Sequence, residues 1–172
     1  MSKDPVPKAI ANVWSEPVNG LAGRLLVEFE DLKPGLRHGV YLELKNHSFD
    51  PIAVPNQPLI HSELFDTSGK PISTKGYPAS GPIPIPQWAI VPRDAYIGFR
   101  VDMQIVGVPT REQGMVLLAI GGKNWEVRAG AYELKTALVF KKEDEGPQNQ
   151  WVGELELPPV EVVVTTQMLA VN

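Results

Sequence analysis

Seventeen prolines and 15 glycines are scattered along the 172 residues of this chain. A proline removes an amide donor and a glycine costs backbone entropy, so neither suits a helix interior. No capped stretch of helical periodicity survives between them, and such punctuation fits short strands joined by turns.

Between the breaks the apolar residues alternate. Over residues 24–30, Leu25, Val27 and Phe29 face one way; Arg24, Glu28 and Glu30 face the other, with Leu26 the exception. Val40, Leu42 and Leu44 alternate with Tyr41, Glu43 and Lys45, and Ile97, Phe99 and Val101 with Tyr96, Arg100 and Asp102. This two-residue period marks strands with one wet face. Further strands are expected around residues 52–54 and over 59–65, 115–120, 131–140 and 151–164. The run 115–120 is apolar throughout, so burial on both faces is expected; a buried helical turn is the rival reading. Residues 141–146 make a charged hairpin tip, and Pro158-Pro159 places a kink in the final strand. Five prolines over residues 76–92 make that stretch a loop or a solvent-side edge. The expected core is Leu25, Val27, Phe29, Val40, Leu42, Leu44, Ile97, Phe99, Val101, Leu134 and Leu138.

The organisation expected is an irregular arm over residues 1–20, then a single domain over 21–172. The arm carries Ile10, Val13 and Trp14 among prolines, and Pro17-Val18-Asn19-Gly20 offers a reversal that favours folding it back on its own sheet over adding a strand to a neighbouring subunit. A net charge of −4 and a pI near 5.4 argue against a nucleic-acid partner. No segment approaches the roughly 20 apolar residues of a membrane span. Without cysteine, disulfides, thiolate metal sites and cysteine nucleophiles are excluded. The start, Met1-Ser2-Lys3-Asp4-Pro5, carries no secretory signal, so the expected compartment is cytoplasmic if the chain is complete and exported if a signal has been removed.

The segment Ala129-Gly130-Ala131-Tyr132-Glu133-Leu134 resembles the entry to strand F of immunoglobulin-like domains. There a tyrosine hydrogen-bonds back across a corner, two residues before a core position that antibodies fill with cysteine. Residues 151–162, the strand 40–46 ending in asparagine, and the turn Asp66-Thr67-Ser68-Gly69-Lys70 are similar to parts of bacterial immunoglobulin-like domains. The pattern along the chain amounts to eight or nine strands and an all-β fold, and the resemblance implies that they form an immunoglobulin-like antiparallel β-sandwich. Leu134 stands where the cysteine would be, leaving the inter-sheet pin to apolar packing.

Residues with chemistry are few. His47, His61 and Glu63 form a conceivable metal set, because His61 and Glu63 project from one strand face, but surface residues of an ordinary sheet are the preferred reading and no metal is expected. No Gly-x-Ser-x-Gly elbow exists, and Gly121-Gly122-Lys123 lacks the upstream glycine of a phosphate loop and reads as a turn. The pairs Glu28/Glu30 and Glu154/Glu156 belong to outward strand faces. Pro82-Ile83-Pro84-Ile85-Pro86-Gln87-Trp88 suits either a polyproline ligand or a stiff crossover. Asn46-His47-Ser48 matches a glycosylation acceptor, a frequent chance match. Trp14, Trp88 and Trp125 belong to loops or strand ends, where they would stack on a sugar or cap the core.

The expectation is a non-enzymatic domain without cofactor. It would be a binding or scaffolding module that contacts a protein partner through sheet edges or end loops. The alternative is a carbohydrate-binding module that uses the three tryptophans.

Overall fold

The computed structural model describes residues 13–27, 37–56, 58–76, 87–107 and 114–165. Phe29, the side chain of Val27, the arm's first twelve residues and most of the proline-rich 76–92 stretch lie outside the described residues. No helix occurs among those described, so none is long and apolar enough to cross a membrane.

Among the described residues there are ten strands rather than eight or nine: β1 (Leu21–Val27), β2 (Arg37–Asn46), β3 (Ile52–Pro55), β4 (Ile60–Asp66), β5 (Trp88–Val91), β6 (Tyr96–Gly107), β7 (Val116–Ile120), β8 (Lys123–Val127), β9 (Gly130–Phe140) and β10 (Gly153–Val164). The two that sequence reasoning missed are β5, hidden behind the prolines, and β8, which follows the Gly121-Gly122 turn. Both glycines there have positive φ, 55° and 80°, matching the two-residue hairpin that joins β7 to β8.

The strands pair antiparallel in the orders β1-β2-β6-β7-β8, β10-β9-β4 and β3-β5. Alternation delivers the core: Leu25, Val40, Leu42, Leu44, Phe99, Val101, Leu134 and Leu138 are all buried, while Ile97 is half-buried against them. In β7 the run 116–120 alternates instead of burying both faces, because Leu117 and Ala119 are only half covered.

The larger sheets meet where β1 approaches β10. A β-carbon built on Gly23 would lie 2.5 Å from Leu157 Cδ2 and 3.2 Å from Leu155 Cδ2, so a side chain at that crossing would force these buried leucines to shift. Pro158-Pro159 produces the expected irregularity as a register shift between Leu157 and Val160, yet β10 stays paired with β9 from end to end. At the passage from β8 to β9, the Tyr132 hydroxyl donates to the Arg128 carbonyl at 2.9 Å and accepts from the Arg128 amide at 3.2 Å. That is the backward hydrogen bond expected of this tyrosine, and Leu134 beyond it is fully buried.

Described residues of the arm fold back on β1. Ser15 N–H donates to the Gly23 carbonyl at 2.9 Å, and Val18 and Leu21 exchange backbone bonds of 2.9 and 3.0 Å. Asn19 and Gly20, with φ of 49° and 80°, make the primed turn that Asn-Gly favours. On the opposite side residues 71–75 tie the two sheets together: Ile72 N–H donates to the Leu64 carbonyl of β4, and Lys75 N–H to the Asn124 carbonyl of β8, each at 2.8 Å.

The β1–β10 crossing yields a direct expectation. Gly23→Ala should lower stability by about 2 kcal/mol through overpacking, read as a reduced urea midpoint with an unchanged slope.

Candidate functional site

One end of the molecule is organised by Asn46, the last residue of β2. Its side chain is fully buried and every polar function is used. Nδ2 donates to the Asp50 carbonyl at 2.8 Å and to the Val91 carbonyl at 3.0 Å. Oδ1 accepts from the Ser48 amide at 2.7 Å and the Ser48 hydroxyl at 2.7 Å. Its main chain takes part as well, since Asn46 N–H donates to Ala95 and Asp94 N–H donates to Asn46, each at 3.0 Å. The next residue continues the network, with His47 N–H donating to Gly20 at 2.7 Å. Glycine is required at position 20, where a β-carbon would come within 2.7 Å of the Ser48 β-carbon. The β2–β3 loop, the β5–β6 turn and the arm's hairpin are thereby locked to one another. A fully buried carboxamide offers nothing to a glycosylating enzyme, so the Asn46-His47-Ser48 match is structural.

This pinned loop carries Phe49 into solvent with 80% of its surface exposed. The Arg93 guanidinium sits 4.5 Å from the ring centroid, and its Nε lies 3.3 Å from Asp94 Oδ2. Tyr96, at the start of β6, is 64% exposed, and Ile90 of β5 is 53% exposed. Burying a phenylalanine contributes roughly 1.5–3 kcal/mol, which folding forgoes here. An aromatic on a rigid loop also loses little conformational freedom on docking, the property of an interface anchor.

Apart from His47, whose backbone joins the Asn46 network, the residues singled out from sequence lie elsewhere, and they are not brought together. Trp125, expected at a loop or strand end, is at the centre of β8 and fully buried, so it has no face to offer a ligand. Trp88 opens β5 half-buried, with its ring edge 2.9 Å from where a Gly146 β-carbon would stand. Trp14 is half-buried with Arg24 stacked 4.4 Å from its ring, and that arginine is bound to Glu43. The fourth tryptophan, Trp151, is core: its Nε1 donates to Val18 at 2.8 Å and its ring meets Phe140 edge-on.

His61 and Glu63 share the exposed face of β4, opposite Ala137 and Lys135, whereas His47 follows β2. Among the described residues no three histidine, aspartate or glutamate side chains are grouped to hold a metal. Sequence reasoning missed Asn46, Phe49, Arg93 and Tyr96. The signal for the first was present in Asn-x-Ser-x-Asp, a spacing that favours side-chain-to-backbone bonds in a turn.

The β4 turn is a second, smaller device. Asp66 Oδ1 accepts from the Ser68 hydroxyl at 2.6 Å, the Ser68 amide at 2.9 Å and the Lys70 amide at 3.0 Å. The Ser68 hydroxyl, then the Lys70 amide, hold its carboxyl below the ordinary 3.8. A depressed folded value stabilises fully above 3.8 and fades as pH falls through the lower value. The stability difference between wild type and Asp66→Asn should therefore be greatest near neutrality and shrink on acidification, read from urea titrations across pH. Asn46→Ala should cost more, about 3 kcal/mol by the same measurement, because it strands several partners at once.

Compared with family models, with curated proteins and with solved structures, the chain matches none of them.

Proposed function

We propose that this chain is an immunoglobulin-like β-sandwich acting as a non-catalytic binding module for another protein, with Phe49 as its anchor. The carrying observation is the exposed phenylalanine on a loop that Asn46 pins from beneath. Tyr96 and Arg93 nearby add the residue types that dominate protein interfaces.

Support for the immunoglobulin-like reading comes from the order β10-β9-β4, which corresponds to strands G, F and C, and from the Tyr132 corner leading into β9. One feature departs from that pattern. In immunoglobulin domains the strand before F lies next to strand B, whereas here β8 is at the sheet's edge and β6 neighbours β2.

Immobilised protein incubated with an extract of its source cells should retain a protein partner, identified by mass spectrometry. Phe49→Ala should abolish retention while leaving the melting temperature within about a degree, since an exposed side chain contributes little to stability. Retention unaffected by Phe49→Ala would overturn the assignment. Glycan-array binding lost on Trp88→Ala would favour a carbohydrate ligand instead.

A further inference from the structure

β6 is twelve residues long, but β7 pairs with it only from Met103 to Gly107. The direction of its free backbone groups follows from the ladder with β2. Asn46 N–H donates to the Ala95 carbonyl, so at alternate residues, Ile97, Phe99 and Val101, the groups also turn toward β2. Those of Tyr96, Gly98 and Arg100 turn the opposite way, where no described strand pairs with them. The same logic applies to β4. Leu64 and Asp66 spend their outward groups on Ile72 and Lys70, which leaves Ile60 and Ser62 without a neighbouring strand on that side among the described residues.

Between these two edges lies an open groove of about 550 Å³, lined by Pro58, Leu59, Ile60, Gly98, Arg100 and Gly121 among others. Leu59 is 72% exposed at its rim. Arg100 is exposed and has no carboxylate partner among the described residues. A β-carbon at Gly98 would find only Glu43 Cγ, 3.9 Å away, so packing within the chain does not demand glycine there. A bare backbone at such a point suits the close approach of another chain.

We propose that this groove receives an extended segment of a partner protein as a strand added to β6, with an acidic side chain opposite Arg100 between two apolar ones. The pattern follows from the pleat. A residue paired with Arg100 shares its outer face, whereas those paired with Phe99 and Val101 point inward toward the core side and Leu59. Main-chain bonds to Gly98 and Arg100 supply attraction, and Arg100 selects charge. The inference rests on the protein-binding reading but uses a surface distinct from Phe49.

The probe is a synthetic peptide, acetyl-Ser-Thr-Val-Glu-Val-Thr-Ser-amide, titrated into the 15N-labelled full chain up to millimolar concentration. Saturable shifts and slowed hydrogen exchange are expected at the Gly98 and Arg100 amides. Arg100→Glu should weaken binding about tenfold or more, and a peptide with lysine in place of glutamate should recover it on that variant. Absence of saturable shifts, of protection at those two amides, or of the charge-swap recovery would overturn the proposal. If the peptide fails while Phe49→Ala still abolishes partner retention, strand addition falls and the protein-binding reading stands. If the peptide binds as described but Phe49→Ala is silent, the anchor is wrong and the groove is the docking surface.

Discussion

The buried carboxamide of Asn46 is the interaction on which the organised end of this molecule depends. A neutral amide can donate twice and accept twice, and here all four roles are filled within one small volume. An apolar residue of the same size would strand the Asp50 and Val91 carbonyls and the Ser48 amide, each at the cost of desolvation without return. The consequence is mechanical. Three connections that would otherwise be independent loops move as one body with β2, and Phe49 rides on that body instead of collapsing onto the core.

Elsewhere the fold manages its sheet edges unevenly. The arm's hairpin covers β1, and Trp151 and Asn19 tie that hairpin to the start of β10. Residues 71–75 bond to β4 at one end and β8 at the other, closing the opposite side over part of its height. The N-terminal half of β6 receives no such cover from the described residues, because the β7–β8 hairpin is shorter than the strand it flanks. An unpaired edge beside exposed Leu59 is a surface that natural proteins ordinarily blunt. Here the edge has instead kept a glycine, an open groove and an arginine with no carboxylate partner among the described residues.

Much of this architecture was legible beforehand, and the parts that were not share a cause. Period-2 alternation named the inward faces of β1, β2 and β6, since burial of one sheet face leaves that mark directly in the residue order. Turn chemistry placed Asn19-Gly20, Gly121-Gly122 and the Asp66 loop, because positive φ and side-chain-to-backbone bonds restrict the residues allowed. Trp88 and Trp125 were misread because their surroundings, proline-rich or short and polar, resemble loops. Only the partner strands β3 and β7 make strands of them.

The residue order by itself therefore determined the class of structure: strands without helix among the described residues, their inward faces and their tightest turns. All of these depend on neighbours within a few positions. Tertiary structure alone decided which aromatic residues reach solvent. Trp125 is enclosed by the core, Trp88 leans on Gly146, and Phe49 reaches solvent because Asn46 holds its loop to Val91, 45 positions away. It also decided where the β6 edge stays open, since that depends on how far β7 runs alongside a strand from another part of the chain. Exposure and edge pairing are properties of distant segments brought together, and no local pattern records them.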